Sequence, residues 1–251
     1  AFSRSKETRE KIKNLNIVDN VNDNIKESVK DSDLIVLGVP VGAMESIVSE
    51  ISPFLKSGSI VTDVGSVKKH LIDSLLPILP SDVYFVPGHP IAGTEKSGPE
   101  AGFAELFNGR WCILTPNKNT SQEALEKVKF IWEQAGMQIA TMDAEYHDRV
   151  LAITSHIPHL VAFSIVGTVT ELEDQLKTEV IKYSAGGFRD FTRIAASDPV
   201  MWRDVFLNNS EAVLEMLGRF IEDLTALQKS IRWQDGDSLE NLFTKTREIR
   251  K

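Results

Sequence analysis

Five histidines, one cysteine and a dense run of arginines and aspartates are where this 251-residue sequence could do chemistry. His89 stands out because Gly88 and Pro90 flank it just after the apolar run Val83–Val86, at what reads as the carboxyl end of a strand. In open parallel sheets ligands bind at that edge, and an imidazole there can exchange a proton near neutral pH. Residue type alone leaves both a catalytic and a structural histidine open. The same edge logic selects Gly38-Val39-Pro40 and Asp63-Val64-Gly65-Ser66, where Ser66 is either the N-cap of the next helix or a site residue. Ile91–Gly98 is too rich in small and polar residues for a core and reads as a loop over the crevice. His156 and His159 straddle Pro158 and share a helix face. With no HExxH pattern and no further ligand set beside them, they are expected to be satisfied polar positions, and no metal is expected. Arg189, Asp190, Arg193, Asp198, Arg203 and Asp204 form a charged stretch. Most such charges are solvated or paired, yet the forked guanidinium of an arginine is the best receptor for a carboxylate.

These residues need a scaffold, and the hydrophobic pattern supplies two kinds. Up to residue 142 short β-branched runs alternate with amphipathic stretches, the signature of βαβ units and a parallel sheet. Strands are expected at Leu34–Val39, Ser59–Asp63, Val83–Val86, Trp111–Thr115 and Met137–Met142. A helix between the last two is marked by Thr120 and Glu123 in a capping-box pattern, by an apolar face of Leu125, Val128, Ile131, Trp132 and Ala135, and by Gly136 as its stop. After residue 142 helical periodicity takes over. Ala144 to Thr170 reads as one helix kinked at Pro158, followed by helices over Glu171–Tyr183, Pro199–Ile231 and Ser238–Arg250. Ser184–Asp198, with Gly186 and Gly187, is the least regular segment and a candidate site loop. The fold class is therefore an α/β Rossmann-like domain, residues 1–142, followed by an all-α domain, residues 143–251. No GxGxxG fingerprint occurs, and Ala1-Phe2 reads as the end of a second strand, so the first βα unit of the nucleotide domain is expected to be missing.

Composition excludes several classes. With 42% hydrophobic and 25% charged residues the chain is globular in type. A net charge of −8 argues against nonspecific nucleic-acid binding, which needs clustered cations. Cys112, the only cysteine, rules out an intrachain disulfide, a CxxC redox pair and a thiolate zinc site, which fits the cytoplasm. Polar residues interrupt each apolar run before membrane-helix length, and no signal peptide is recognised, so no membrane association is expected.

Three motifs in order, Gly88-His-Pro-Ile-Ala-Gly-Thr-Glu-Lys-Ser-Gly98, Ser155-His-Ile-Pro-His159 and Gly186-Gly-Phe-Arg-Asp-Phe-Thr-Arg-Ile-Ala-Ala-Ser-Asp-Pro-Val-Met-Trp202, resemble the prephenate/arogenate (cyclohexadienyl) dehydrogenases. The resemblance implies oxidative decarboxylation of prephenate or arogenate in tyrosine biosynthesis, and a homodimer formed through the helical domain. It implies that His89 takes the proton of the ring hydroxyl, that Ser66 is its partner near the nicotinamide, and that Arg193 anchors a substrate carboxylate. His159, Glu95, Thr94 and Gly187 are implied to line or gate the pocket, with His156, Asp190 and Trp202 in support. On the cofactor side stand Ser3, Arg4, Val39, Pro40 and Ser66. Ser3 occupies the place where an acid accepts from the adenosine ribose of NAD, and Arg4, Ser5 and Lys6 suit a 2′-phosphate, so NADP is expected over NAD. Two other readings compete: a noncatalytic dimerising or aromatic-binding remnant, and another Rossmann-plus-helical dehydrogenase of the β-hydroxyacid type.

Overall fold

In the computed structural model, which describes residues 1–171, 179, 182–183 and 186–250, the β-branched runs of the first half become short strands. Leu34–Leu37 (β1), Ile60–Asp63 (β2) and Tyr84–Val86 (β3) pair in parallel in the order β1-β2-β3, with Leu34 opposite Ile60 and Ile60 opposite Tyr84. The five expected strands are all present, each a residue or two shorter. The other three strands form a second sheet, which is not parallel throughout. Gly88–Pro90 forms an unexpected strand (β4) that runs antiparallel to Trp111–Leu114 (β5), which in turn pairs in parallel with Gln138–Thr141 (β6). The reason lies in the connection. Between β4 and β5 there is a single 3-10 turn, Pro99–Ala101, where a parallel crossover would need a helix. Only Pro87 separates β3 from β4, so His89 is carried past the carboxyl end of β2. At the amino terminus the expected strand end is reduced to one parallel bridge between Phe2 and Asn22.

Helices Lys6–Leu15 (α1), Ile25–Val29 (α2), Val41–Ile51 (α3), Lys69–Leu75 (α4) and Gln122–Gln134 (α5) cover these sheets. α3 buries Val41, Met44, Val48 and Ile51, a helical spacing, against Ile35, Leu37, Val61 and Leu71. α5 buries Leu125, Val128 and Trp132 against Val86, Cys112 and Leu114. Its cap is Ser121, whose hydroxyl accepts from the Ala124 N–H. Thr120, the expected cap, instead accepts from the Asn117 N–H.

In the second half Ala144–Leu151 (α6) begins at Asp143, which accepts from the N–H groups of Glu145 and Tyr146. It runs into a π-turn, Ala152–His156, and on into Ile157–Thr170 (α7). The expected kink at Pro158 is taken up by that turn. Proline cannot bond to the carbonyl four residues back and its ring would strike it, so the Ile157 N–H reaches five back to Ala152. By length and composition alone the joined helix Ala144–Thr170, 27 residues with an apolar window of mean hydropathy 1.6, is long enough to cross a membrane, a longer apolar run than the sequence reading allowed. Gly186–Thr192 (α8) and a 3-10 turn, Arg193–Ala196, occupy the segment expected to be a loop. Pro199–Asn208 (α9) and Ser210–Arg232 (α10) replace one expected helix, and Gly236–Arg250 (α11) follows. The break falls at Asn209, whose buried side chain is held by Asp148 and His156. The helix expected over Glu171–Tyr183 lies largely outside the described residues.

Two carboxylates fasten the halves together. Asp148 of α6 accepts from the Lys68 and Lys69 N–H groups, both 2.9 Å, at the start of α4. Asp204 of α9 accepts from the Gly42 N–H at 3.2 Å, in the first turn of α3. A carboxylate at a helix N-terminus gains both from hydrogen bonding and from the helix dipole. Gly42 is required there, because a Cβ at that position would stand 2.6 Å from the Asp204 carboxylate.

Candidate active site

The carboxyl end of β2 turns sharply around its own last residue. Asp63 accepts from the Gly65 N–H at 2.9 Å and from the Gly88 N–H at 3.2 Å. A Cβ on Gly88 would lie 3.0 Å from the Asp63 carbonyl, so this close approach of β4 to β2 depends on glycine. Lys68, fully buried, pairs with Asp63 and donates to the Gly88 carbonyl at 2.6 Å. Burial pushes its ammonium pKa down, against the pull of Asp63. The ammonium thus tethers the strand segment that carries His89.

His89 is buried on β4, and its Nδ1 lies 2.9 Å from His147 Nε2. His147 Nδ1 in turn lies 2.7 Å from Asp148 Oδ1, the same oxygen that caps Lys68. His89 Nε2 bonds to no described residue. Burial first, then the neighbouring His147, Lys68 and His156, hold the His89 pKa well below the ordinary imidazole range. His147 is also pushed down by burial, which outweighs the raising effect of Asp148. Burial and its neighbours both favour the neutral form of the His89 imidazole. Its partner is His147, and Ser66 makes no hydrogen bond to it among the described residues. Ser66 sits half-buried in the bend before α4 and does not cap that helix either, since Asp148 does.

Beyond the histidine pair lies an aromatic wall. His159 stacks on Trp202, centroids 3.7 Å apart and planes at 24°, while its Nδ1 donates to the Ser155 carbonyl at 2.8 Å. His156 is fully buried, accepts from Asn209 Nδ2 at 3.1 Å, and among the described residues leaves its Nε2 without a partner, as Trp202 leaves its Nε1. Burial lowers the pKa of His156 to about 4. Over the opening, Arg193 donates to Glu95 at 2.7 Å, joining the loop after β4 to the turn after α8. Thr94 is exposed and accepts from the Lys96 N–H, and Gly187 and Asp190 are exposed on α8. The structure thus joins His89 to His147, His156 and His159 to Trp202, and Glu95 to Arg193, and leaves Thr94, Gly187 and Asp190 exposed. Sequence reasoning missed Lys68, His147, Asp148 and Asn209. The adjacent His147-Asp148 pair, on a helix that runs on into an apolar stretch, was the signal that could have found them.

On the other flank Val39 and Pro40 lead from β1 into α3, with Gly38 facing open space. Ser3 and Arg4 lie beyond it, their carbonyls both accepting from Arg9 Nη1, at 2.7 and 2.8 Å. Arg4 lines a 600 Å³ depression with Phe2, Asn24, Lys26, Ile47 and two carboxylates, Asp23 and Glu50. Ser5 is used as the cap of α1.

A family model described as prephenate dehydrogenase, nucleotide-binding domain, matches residues 1–141, and one described as prephenate dehydrogenase, dimerization domain, matches residues 143–245. The chain belongs to the prephenate dehydrogenase family. It is 44% identical over 249 residues to the cyclohexadienyl dehydrogenase of Zymomonas mobilis, covering 99% of this chain and 85% of that protein. The prephenate dehydrogenase of Bacillus subtilis is 33% identical, with 94% of this chain and 64% of that protein covered. Among solved structures, the Aquifex aeolicus prephenate dehydrogenase in complex with hydroxyphenyl propionate and NAD+ superposes with a TM-score of 0.91 at 38% identity, covering 99% of this chain and 86% of that one. As a member of this family the chain is a dehydrogenase, an oxidoreductase that uses a nicotinamide cofactor.

Gly38, after β1, faces open space, and Ser66, after β2, stands at the same carboxyl edge of the first sheet, where the nicotinamide end of such a cofactor would lie. The pyrophosphate is a different matter. It binds free N–H groups at a helix N-terminus, and at this edge those of α3 and α4 hold Asp204 and Asp148.

Proposed function

We propose that the chain oxidises and decarboxylates prephenate or arogenate in tyrosine biosynthesis, with NADP preferred over NAD. The observation that carries the reading is His89: a buried, neutral imidazole with a free Nε2, at a sheet edge that faces an aromatic wall and a gated arginine. The cofactor, when bound, supplies the hydride acceptor. His89 takes the proton of the ring hydroxyl through Nε2 as the carbonyl develops. Arg193 exchanges Glu95 for a substrate carboxylate, so the ion pair closes the cleft when it is empty. Stacked His159 and Trp202 form an apolar wall for the ring, and His156 braces Trp202 from behind. Loss of carbon dioxide gives an aromatic product, so the protein's main work is alignment and the removal of one proton.

Residues 1–142 act as the nucleotide-binding domain, through Val39, Pro40, Ser66, Ser3 and Arg4, and residues 143–251 as the substrate and dimerisation domain. The exposed apolar side chains Ile165, Leu214, Ile221, Leu224 and Ile231 on α7 and α10 support a homodimer that covers them. The buried Cys112 thiol, pushed up to about 12, stays protonated and unreactive, in keeping with a cytoplasmic setting. Steady-state assays with each substrate and each cofactor test the proposal, alongside Ser3→Asp. Turnover of neither substrate would refute it. A clear NAD preference, or no shift toward NAD in Ser3→Asp, would remove Ser3 and Arg4 from the 2′ site.

A further inference from the structure

Asp148 and His147 place a directional chain of hydrogen bonds behind His89. A carboxylate only accepts, so Asp148 Oδ1, 2.7 Å from His147 Nδ1, requires that nitrogen to carry its proton. The neutral His147 then has a lone pair on Nε2. At 2.9 Å that lone pair requires the proton of His89 to sit on Nδ1. His89 Nε2 is left as a lone pair with no described partner. We propose that Asp148 and His147 are positioning residues that hold His89 in its Nδ1–H tautomer, and that His147 receives the Nδ1 proton when Nε2 takes one from the substrate.

The step balances in protons. The substrate O–H proton moves to His89 Nε2, the His89 Nδ1 proton moves to His147 Nε2, and the positive charge ends on His147 against the Asp148 carboxylate. No electron pair leaves the protein. The relay rests on the reading of His89 as the base, and it follows the general logic of a base oriented by a third, acceptor group. It also explains a placement that packing does not require. Asp148 uses one oxygen for both the Lys68 N–H and His147, so the carboxylate is immobilised by α4 before it orients the imidazole. Asn209 holds the Asp148 backbone carbonyl at 2.9 Å from the other side. The groups facing the pair are Asp63 on β2, Lys68 ahead of α4, Cys112 on β5, Asp148 on α6 and His156 in the π-turn.

Nitrogen-15 spectra of histidine-labelled protein test the tautomer without substrate, and with five histidines in the sequence single His→Gln variants assign each ring. In the unmutated protein His89 and His147 are both expected as Nδ1–H, Nε2-unprotonated rings near neutral pH. An Nε2–H ring at His89 would overturn the proposal. In Asp148→Ala His147 Nδ1 has no acceptor, so its proton shifts to Nε2 and donates toward His89 Nδ1, which reverses both rings. The His89 signal should then move to the Nε2–H form and kcat should fall about 10² to 10³-fold with KM little changed. A loss of activity with the His89 tautomer unchanged would mean that Asp148 acts only through the fold. His147→Gln separates the two roles, because its carbonyl can accept from His89 but the amide cannot take up a proton. The tautomer should persist while kcat falls about tenfold, and His147→Leu should lose more. Wild-type kcat in both His147 variants would refute the relay. Should His89→Asn keep normal turnover, the base assignment itself fails, an outcome the spectra alone cannot produce.

Discussion

His156 offers a test of the site's electrostatics that needs no substrate. Its ring is fully buried between Asn209, which donates to Nδ1, and the Trp202 indole. Burial lowers its pKa from 6.5 to about 4, with His147 and His159 adding to the effect and Asp148 opposing it. The unfolded chain therefore binds a proton there that the folded chain refuses. Stability from this group is complete above pH 6.5 and is lost as pH falls toward 4. A displacement of about 2.5 units at ~1.4 kcal/mol each amounts to about 3 kcal/mol, roughly two-thirds of it lost by about pH 5. His156→Gln keeps an acceptor for Asn209 and cannot titrate. Urea unfolding of both proteins between about pH 7.5 and pH 4.5 isolates the effect, since every other titrating group is common to the two. The wild type should lose stability relative to the variant by about 2 to 3 kcal/mol across that range. A gap that stays constant with pH would refute the reasoning.

His89→Asn should lower kcat by about 10² to 10⁴-fold and leave KM nearly unchanged, read by steady-state kinetics, because it removes the base and keeps the size. Arg193→Ala should raise KM for the substrate and leave cofactor affinity unchanged, and Arg193→Lys should rescue poorly, since an ammonium cannot make the two-pronged contact. An unchanged KM in Arg193→Ala would transfer the anchor to another residue. Gly42→Ala should destabilise by about 1 to 3 kcal/mol in thermal or urea unfolding, because its Cβ meets the Asp204 carboxylate at 2.6 Å.

Strand positions were legible because each strand is a continuous apolar run bounded by turn residues, as Ile60–Asp63 before Val64-Gly65-Ser66 illustrates. The direction of β5 was not, since an apolar run reads the same either way and only the helix-free connection from β4 distinguishes the two. The cap of α4 was left open for a similar reason: the nearest hydroxyl, Ser66, is local, whereas the group that caps it, Asp148, is 80 residues on. The common placement of His147 and His156 near His89 was hidden by the helix itself. On an uninterrupted helix of about 100° per residue, His147 and His156 lie about half a turn apart. The π-turn between them changes the phase, and it is visible in the sequence only as the consequence of Pro158.

The two interdomain carboxylates also bear on how the site is built. A helix N-terminus at the carboxyl edge of a parallel sheet is the ordinary place for a phosphate. In this chain α3 and α4 give theirs to Asp204 and Asp148, groups of the same charge that belong to the other half of the protein. The attraction that elsewhere binds a ligand here fixes the angle between the halves. That angle matters because the base stands on β4 while its partner His147 and the Trp202 wall stand on helices of the second half. A rotation of one half on the other by even an ångström at this radius would break the 2.9 Å contact between the two imidazoles. Asp148 therefore contributes twice through one carboxylate, holding the halves in register and aligning the residues whose registration the chemistry needs.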